Sequence, residues 1–271
     1  MNGDAAVTFD RPPLAEVAIG VQFRPLTSLR AIHLGVLWER WREDFPVLEE
    51  QPPLEPTFEQ KGPVVGTQVQ LSFGPPPMMR YWFLNADGSY LLQIQRDRLI
   101  LNWRKISPSD PYPRYGTLRD RLFERLNEFA DFLLNFDLGS MEITQCEINY
   151  INAIEISDGI EKPGQVERIF TSWRPSHEGH HLGEPEEVRI TQVFSLTHPA
   201  GAPAHLYVSI DPARRPDGTP FLLLTLTVRG APPGGGSDEG RTFLDFAHAH
   251  VVQSFTELTT PTIQKAWGRT S

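Results

Sequence analysis

The chain has 271 residues, 39% of them hydrophobic and 22% charged, the composition of a globular protein long enough to bury a core. A formal net charge of -9 works against non-specific binding to nucleic-acid backbones, which depends on Lys and Arg. Cys146 is the only cysteine and no apolar run approaches the ~20 residues of a membrane-spanning helix, so an intrachain disulfide is excluded and a soluble, cytoplasmic protein is expected.

The first residues, MNGDAAVTFDRPP, lack the basic and apolar regions of a secretory signal. LAEVAIGVQF (14–23) is rich in β-branched residues and reads as a strand. TSLRAIHLGVLWERWREDFP predicts a helix capped by Thr27 or Ser28, with Leu29, Ile32, Val36, Leu37 and Trp41 on one face and Pro46 as the stop. The Pro-rich stretch that follows favours extended loop. Residues 67–73, 79–85, 89–96 and 98–105 read as strands, with turns at Asn85-Ala86-Asp87-Gly88 and Asp97. TLRDRLFERLNEFADFLLNF (117–136) predicts a long helix whose stripe is Leu122, Leu126, Phe129, Leu133 and Phe136, closed by Gly139.

The pattern then restarts. ITQCEINYINAIEI (143–156) reads as a strand and GQVERIFTSW (164–173) as a short helix ending in Trp173, as the first ends in Trp41. Three strands follow, EVRITQVFSLT, AHLYVSI and FLLLTLTVRG, with a turn at Pro216-Asp217-Gly218. GAPPGGGSDEG (230–240) reads as a flexible linker before the helix at 241–260, whose stripe includes Phe243, Ala247, His250 and Val251. The expected fold is a single α+β unit of two pseudo-repeats, about 14–138 and 143–267. Their sheets would join into one largely antiparallel sheet with the long helices on one face. This strand, helix, strands, helix order resembles the TATA-binding protein and the helix-grip folds.

Period-2 alternation sorts the strand residues by face. Val17, Ile19, Val21 and Phe23 share one side of the first strand, and Glu16, Ala18, Gly20 and Gln22 the other. The side away from the helices then collects Gln22, Gln68, Gln70, Gln93, Gln95, Asp97, Glu147 and Asn149, amides rather than lysines. A half-exposed antiparallel sheet ordinarily carries polar residues there, which is one reading. The other is a recognition surface, because an amide donates and accepts at once; the acidic balance then favours a protein partner over nucleic acid.

HEGHH (177–181) contains the H-E-x-x-H of zinc peptidases, with His177, His180 and His181 as candidate ligands and Glu178 as the base. That chemistry needs a helix, yet Pro175 precedes the string, Gly179 interrupts it, and Gly183 and Pro185 follow. Each glycine costs a helix about 1 kcal/mol, so an exposed loop is expected and a metal-dependent hydrolase is only the alternative. G-x-G-x-x-G, P-loop and G-x-S-x-G motifs are absent, so no cofactor is expected. Cys146 lies among apolar strand neighbours and reads as a buried structural thiol.

RPPLAEVAIGVQF, LILNWRK followed by YPRYGTL, CEINYINAIE and the closing FTELTTPTIQKAWGR together resemble a sporadically distributed family of uncharacterised bacterial proteins of similar length. The likeness spans nearly the whole chain and implies an accessory or defence module, with no activity to carry over. Its segments hold polar residues where a strand accepts apolar ones: Glu16, Gln22, Asn102, Arg104, Glu147, Asn149 and Asn152. Arg104 and Glu147 are candidates for an ion pair. A non-enzymatic binding protein is the function expected.

Overall fold

Alternation in the first strand sets the architecture. In β1 (Leu14–Phe23) the side chains of Val17, Ile19, Val21 and Phe23 are buried on one face, and Glu16, Ala18 and Gln22 are only half-buried on the other. The computed structural model describes residues 8–55, 79–155, 158–174, 181 and 183–270. The strand expected at 67–73 lies outside them.

After β1 come α1 (Ala31–Trp41), β2 (Val47–Gln51), β3 (Arg80–Leu84), β4 (Tyr90–Gln95), β5 (Arg98–Arg104) and α2 (Tyr115–Asn135). The second half runs β6 (Ile143–Glu155), β7 (Ile190–Thr197), β8 (Pro203–Arg214), β9 (Pro220–Gly230), α3 (Ser237–Leu258) and α4 (Pro261–Ala266). The described strands form one sheet in the order β2-β3-β4-β5-β1-β6-β9-β8-β7, antiparallel throughout. β1 and β6 are therefore central neighbours, and the remaining strands of each half extend outward from them.

The helices cover one face. Phe129 of α2 meets Phe23 of β1 with ring centroids 6.0 Å apart, Trp41 of α1 meets Phe83 of β3 at 6.0 Å, and Gly240 of α3 lies over Cys146 of β6. A Cβ at Gly240 would approach the Ile143 side chain to 3.1 Å, so glycine here lets α3 lie close to the sheet. Cys146 is fully buried, and burial pushes its thiol pKa well up, as a packing residue requires. No described helix is long and apolar enough to cross a membrane.

Several local expectations are corrected. α1 begins after Arg30, not at Thr27 or Ser28, and buries Leu34, Leu37 and Trp41. Leu29 is buried in the turn before it, so a periodicity counted from Leu29 takes the wrong helical phase and leaves Ile32 and Val36 exposed at 74% and 41%. The expected helix at 164–173 contracts to a 3-10 turn at Val166–Arg168. The backbone beyond it bonds the end of α3 instead, with Thr260 N–H donating to Ile169 O and Thr171 N–H to Leu258 O. α2 closes with Asp137 rather than Gly139 in the residue after the cap: Asp137 takes φ 52 and Leu138 N–H returns to Leu133 O. Phe136 leaves the α2 stripe and is exposed. α3 starts inside the expected linker, with Asp238 and Glu239 against the positive end of the helix dipole. β2 was not foreseen and forms one sheet edge.

The corrected phase of α1 has a direct test in urea unfolding. Leu34→Ala is expected to cost about 2–5 kcal/mol and Ile32→Ala less than about 0.5 kcal/mol; the opposite ranking would restore the phase counted from Leu29.

Candidate functional site

The face without helices is built from registered rows. One row crosses all nine strands: Val193, Tyr207, Thr227, Asn149, Ala18, Asn102, Leu91, Leu84 and Val47. The row beside it reads Ser195, His205, Arg229, Glu147, Gly20, Ile100, Gln93, Trp82 and Glu49. Gln145, Gln22, Arg98 and Gln95 begin a third. Gln22, Gln93, Gln95, Asn102, Arg104, Glu147 and Asn149 thus share this face, as the alternation implies. Gln68, Gln70, His177 and His180 lie outside the described residues, and His181 is exposed.

Several of these amides do not face solvent. Gln93, Gln95 and Asn102 are 7%, 7% and 4% exposed and are tied into one network. Gln93 Oε1 accepts from Arg80 Nη1 at 2.7 Å and from Trp82 Nε1 at 3.1 Å, while its Nε2 donates to Asn102 Oδ1 at 2.7 Å. Asn102 Nδ2 donates in turn to Glu16. Gln95 exchanges both amide bonds with the backbone of Leu54 at 2.9 Å, pinning that segment over the sheet. Arg98 binds Asp97 through Nε and Nη2 at 3.1 and 3.0 Å and donates to Glu55 O at 3.0 Å. Burial, and then the neighbouring charge of Arg98, lower the pKa of Arg80. The ion pair considered for Arg104 and Glu147 does not form: Glu147 binds Arg229, its partner across β6 and β9, and Arg104 donates to Gly88 O at 3.0 Å.

Against this saturated background the gaps are informative. Four buried side-chain atoms lack a hydrogen-bond partner among the described residues, and Arg80 Nε, Arg104 Nε and Asn149 Oδ1 belong to this face. The fourth, Trp267 Nε1, belongs to a ring packed against Phe9 and Phe255, which bring the two ends of the chain together. Asn149 stands in the middle of the full row, between Ala18 and Thr227. Beside it a pocket of about 230 Å³ opens between β1, β5 and β6, bounded by Gly20, Ile100, Leu54, Gln145, Arg98 and Arg229. Gln145, Arg98, Asp97 and Arg229 matter here, yet only Asp97 was placed on this face from sequence. Gln145 follows from the same alternation as Glu147 and Asn149, and Arg229 from continuing it into β9.

A second polar cluster lies under the helices. Tyr150 of β6 shares hydrogen bonds with Tyr112 OH at 2.8 Å and His248 Nδ1 at 3.1 Å, and His248 stacks on Tyr115 at 4.0 Å. Tyr115 OH and Arg119 both donate to Asp245, each at 2.8 Å. These contacts bind α2 and α3 to the centre of the sheet. Burial pushes Tyr112 up to about 12 and lowers His248 to about 4. An exposed histidine titrates near about 6.5, so on acidification the unfolded chain takes up this proton first. The stability contributed by neutral His248 is complete above pH 6.5 and is lost as the pH falls through the folded value of about 4. It amounts to at most about 3 kcal/mol. Comparing urea midpoints at pH 7 and pH 4.5, His248→Phe should show a smaller acid loss than the wild type; an unchanged loss would mean His248 is not the group responsible.

No family profile, curated protein or solved structure matches the chain. Among the described residues no three His, Cys, Asp or Glu side chains gather to hold a metal ion. What the open face provides chemically is a rigid polar surface with charges paired internally and a few amide and guanidinium groups left uncommitted. Its rigidity depends on Gln93. Gln93→Ala leaves Trp82 Nε1, Asn102 Oδ1 and an Arg80 nitrogen without their bonds, and is expected to cost about 1–3 kcal/mol in chemical denaturation. A cost near zero would show the face to be hydrated and loose.

Proposed function

We propose that this protein is a non-enzymatic binding module that holds a polypeptide partner against its open sheet face. One observation carries the reading: on a face where most polar groups are bonded, Asn149 Oδ1 at the centre is buried without a partner among the described residues. Such a group is costly to leave unsatisfied, and a partner's backbone or side chain can supply the missing bond. Charge balance points the same way. Arg98 and Arg229 are matched by Asp97 and Glu147, which suits a neutral polar partner better than a phosphate backbone. The sheet order, with β1 and β6 adjacent and each half extending outward, supports the reading of two pseudo-repeats whose joint forms the centre of the binding face. The family resemblance adds that the partner belongs to an accessory or defence system in a bacterial cytoplasm.

Native mass spectrometry on protein gently purified from its own host tests this. A second polypeptide should accompany the wild-type chain. Asn149→Leu and Val193→Glu should each weaken its retention about tenfold or more without lowering Tm, and added salt should change it little. Retention that survives both substitutions would remove the open face from binding. A stoichiometric zinc ion lost with His177 and His181 would instead support the hydrolase reading.

A further inference from the structure

Gly20 and Gln145 give the open face a feature that a flat polar sheet lacks. Gly20, at the centre of β1, lets β5 pack closely against it: a Cβ there would come within 2.8 Å of Ile100 Cγ1 and Leu99 O. Only glycine accommodates Ile100 at that approach, and both residues line the pocket. Gln145 lines the same pocket. It is 8% exposed, yet its side-chain amide makes no hydrogen bond among the described residues, in contrast to Gln93 and Gln95. Gln145 Oε1 and Nε2 are not among the fully buried unpaired atoms, so they are open to the pocket, where a ligand can bond both.

Size and charge define what fits. At about 230 Å³ the pocket falls below the roughly 300 Å³ at which small-molecule sites begin, so it matches one side chain rather than a whole ligand. Its guanidinium groups are already committed, Arg98 to Asp97 and Glu55 O and Arg229 to Glu147. A carboxylate would meet cations that are already neutralised, with Glu147 beside it, and an ammonium would meet both arginines. A neutral head avoids both penalties. Leu54 and Ile100 supply apolar walls for a short stem.

We propose that this pocket is an anchor subsite for a primary carboxamide on a short aliphatic stem, a glutamine or asparagine side chain of the partner, paired to Gln145 by a two-bond amide–amide contact. The assignment rests on the open face being the recognition surface and specifies where on that face selectivity resides. The donor and acceptor of one carboxamide match the acceptor and donor of the other, which neither an acid nor an amine can do.

The full chain, labelled with 15N, is titrated with N-acetyl-glutamine N-methylamide and, in parallel, with the corresponding glutamate and lysine derivatives. The glutamine probe should saturably shift the Gly20 amide and the Gln145 side-chain NH2 signals at millimolar concentrations, and the other probes should not. Gln145→Leu should weaken binding about tenfold or more while leaving Tm unchanged or higher, because its amide has no bond to lose. Gln145→Met, which keeps the length of the side chain, serves if the leucine variant folds poorly. Equal response to all probes, preference for the glutamate derivative, binding that survives both substitutions, or no response would each overturn the subsite. Retention of a partner that depends on Asn149 and Val193, with no probe response here, would refute the carboxamide pocket alone; loss of both would refute the face.

Discussion

The pairing of β1 with β6 is the constraint on which the rest of the structure depends. These strands come from different halves of the chain, and their antiparallel ladder turns two sets of strands into one sheet. A slip of one residue would send Val17, Ile19, Val21 and Phe23 to the open face and Glu16 and Gln22 into the core under α2. The apolar face therefore sets the register, and the register sets which residues meet on the other side. Opposing Glu147 to Gly20 and Asn149 to Ala18 follows from that alone.

The consequence is a sheet whose two faces do different work. Under the helices, aromatic and aliphatic side chains close around Phe23, Phe83, Phe129 and Cys146, and the polar groups admitted there, Tyr150 and His248 among them, bond one another. On the open face, buried amides and arginines form a network that is stiff because nearly every member is satisfied. Polar networks of this kind add little net stability, but they fix geometry, since breaking one bond leaves another group unpaired. Ala18 and Gly20 at the middle of β1 line a pocket in this surface. Rigidity with a few uncommitted groups is what selective recognition requires.

Much of this was legible in the chain. Period-2 alternation in 14–23, 89–105 and 143–156 gave the strands and their faces, and the long periodic stretches gave α2 and α3 within a few residues. The errors occurred where local pattern competed with distant contacts. Ile32 and Val36 have the spacing of a buried stripe, but Leu29 packs before the helix begins and shifts its phase. Residues 164–173 have helical composition, but the end of α3 claims the backbone of Ile169 and Thr171. Glu147 was a plausible partner for Arg104 in composition, yet Arg229 is its neighbour in register and Arg104 is not.

Sequence by itself determined the class of fold, the two-sided character of the strands and the polar nature of the face away from the helices, because those follow from periodicity within a single segment. Tertiary structure decided which amides are spent and which are free. Gln93 and Gln145 are the same residue type on the same face, but one has Arg80, Trp82 and Asn102 within reach and the other lines the pocket beside Gly20. Whether a polar side chain stabilises the fold or remains available to a partner depends on neighbours brought in from other strands, and no local pattern records those.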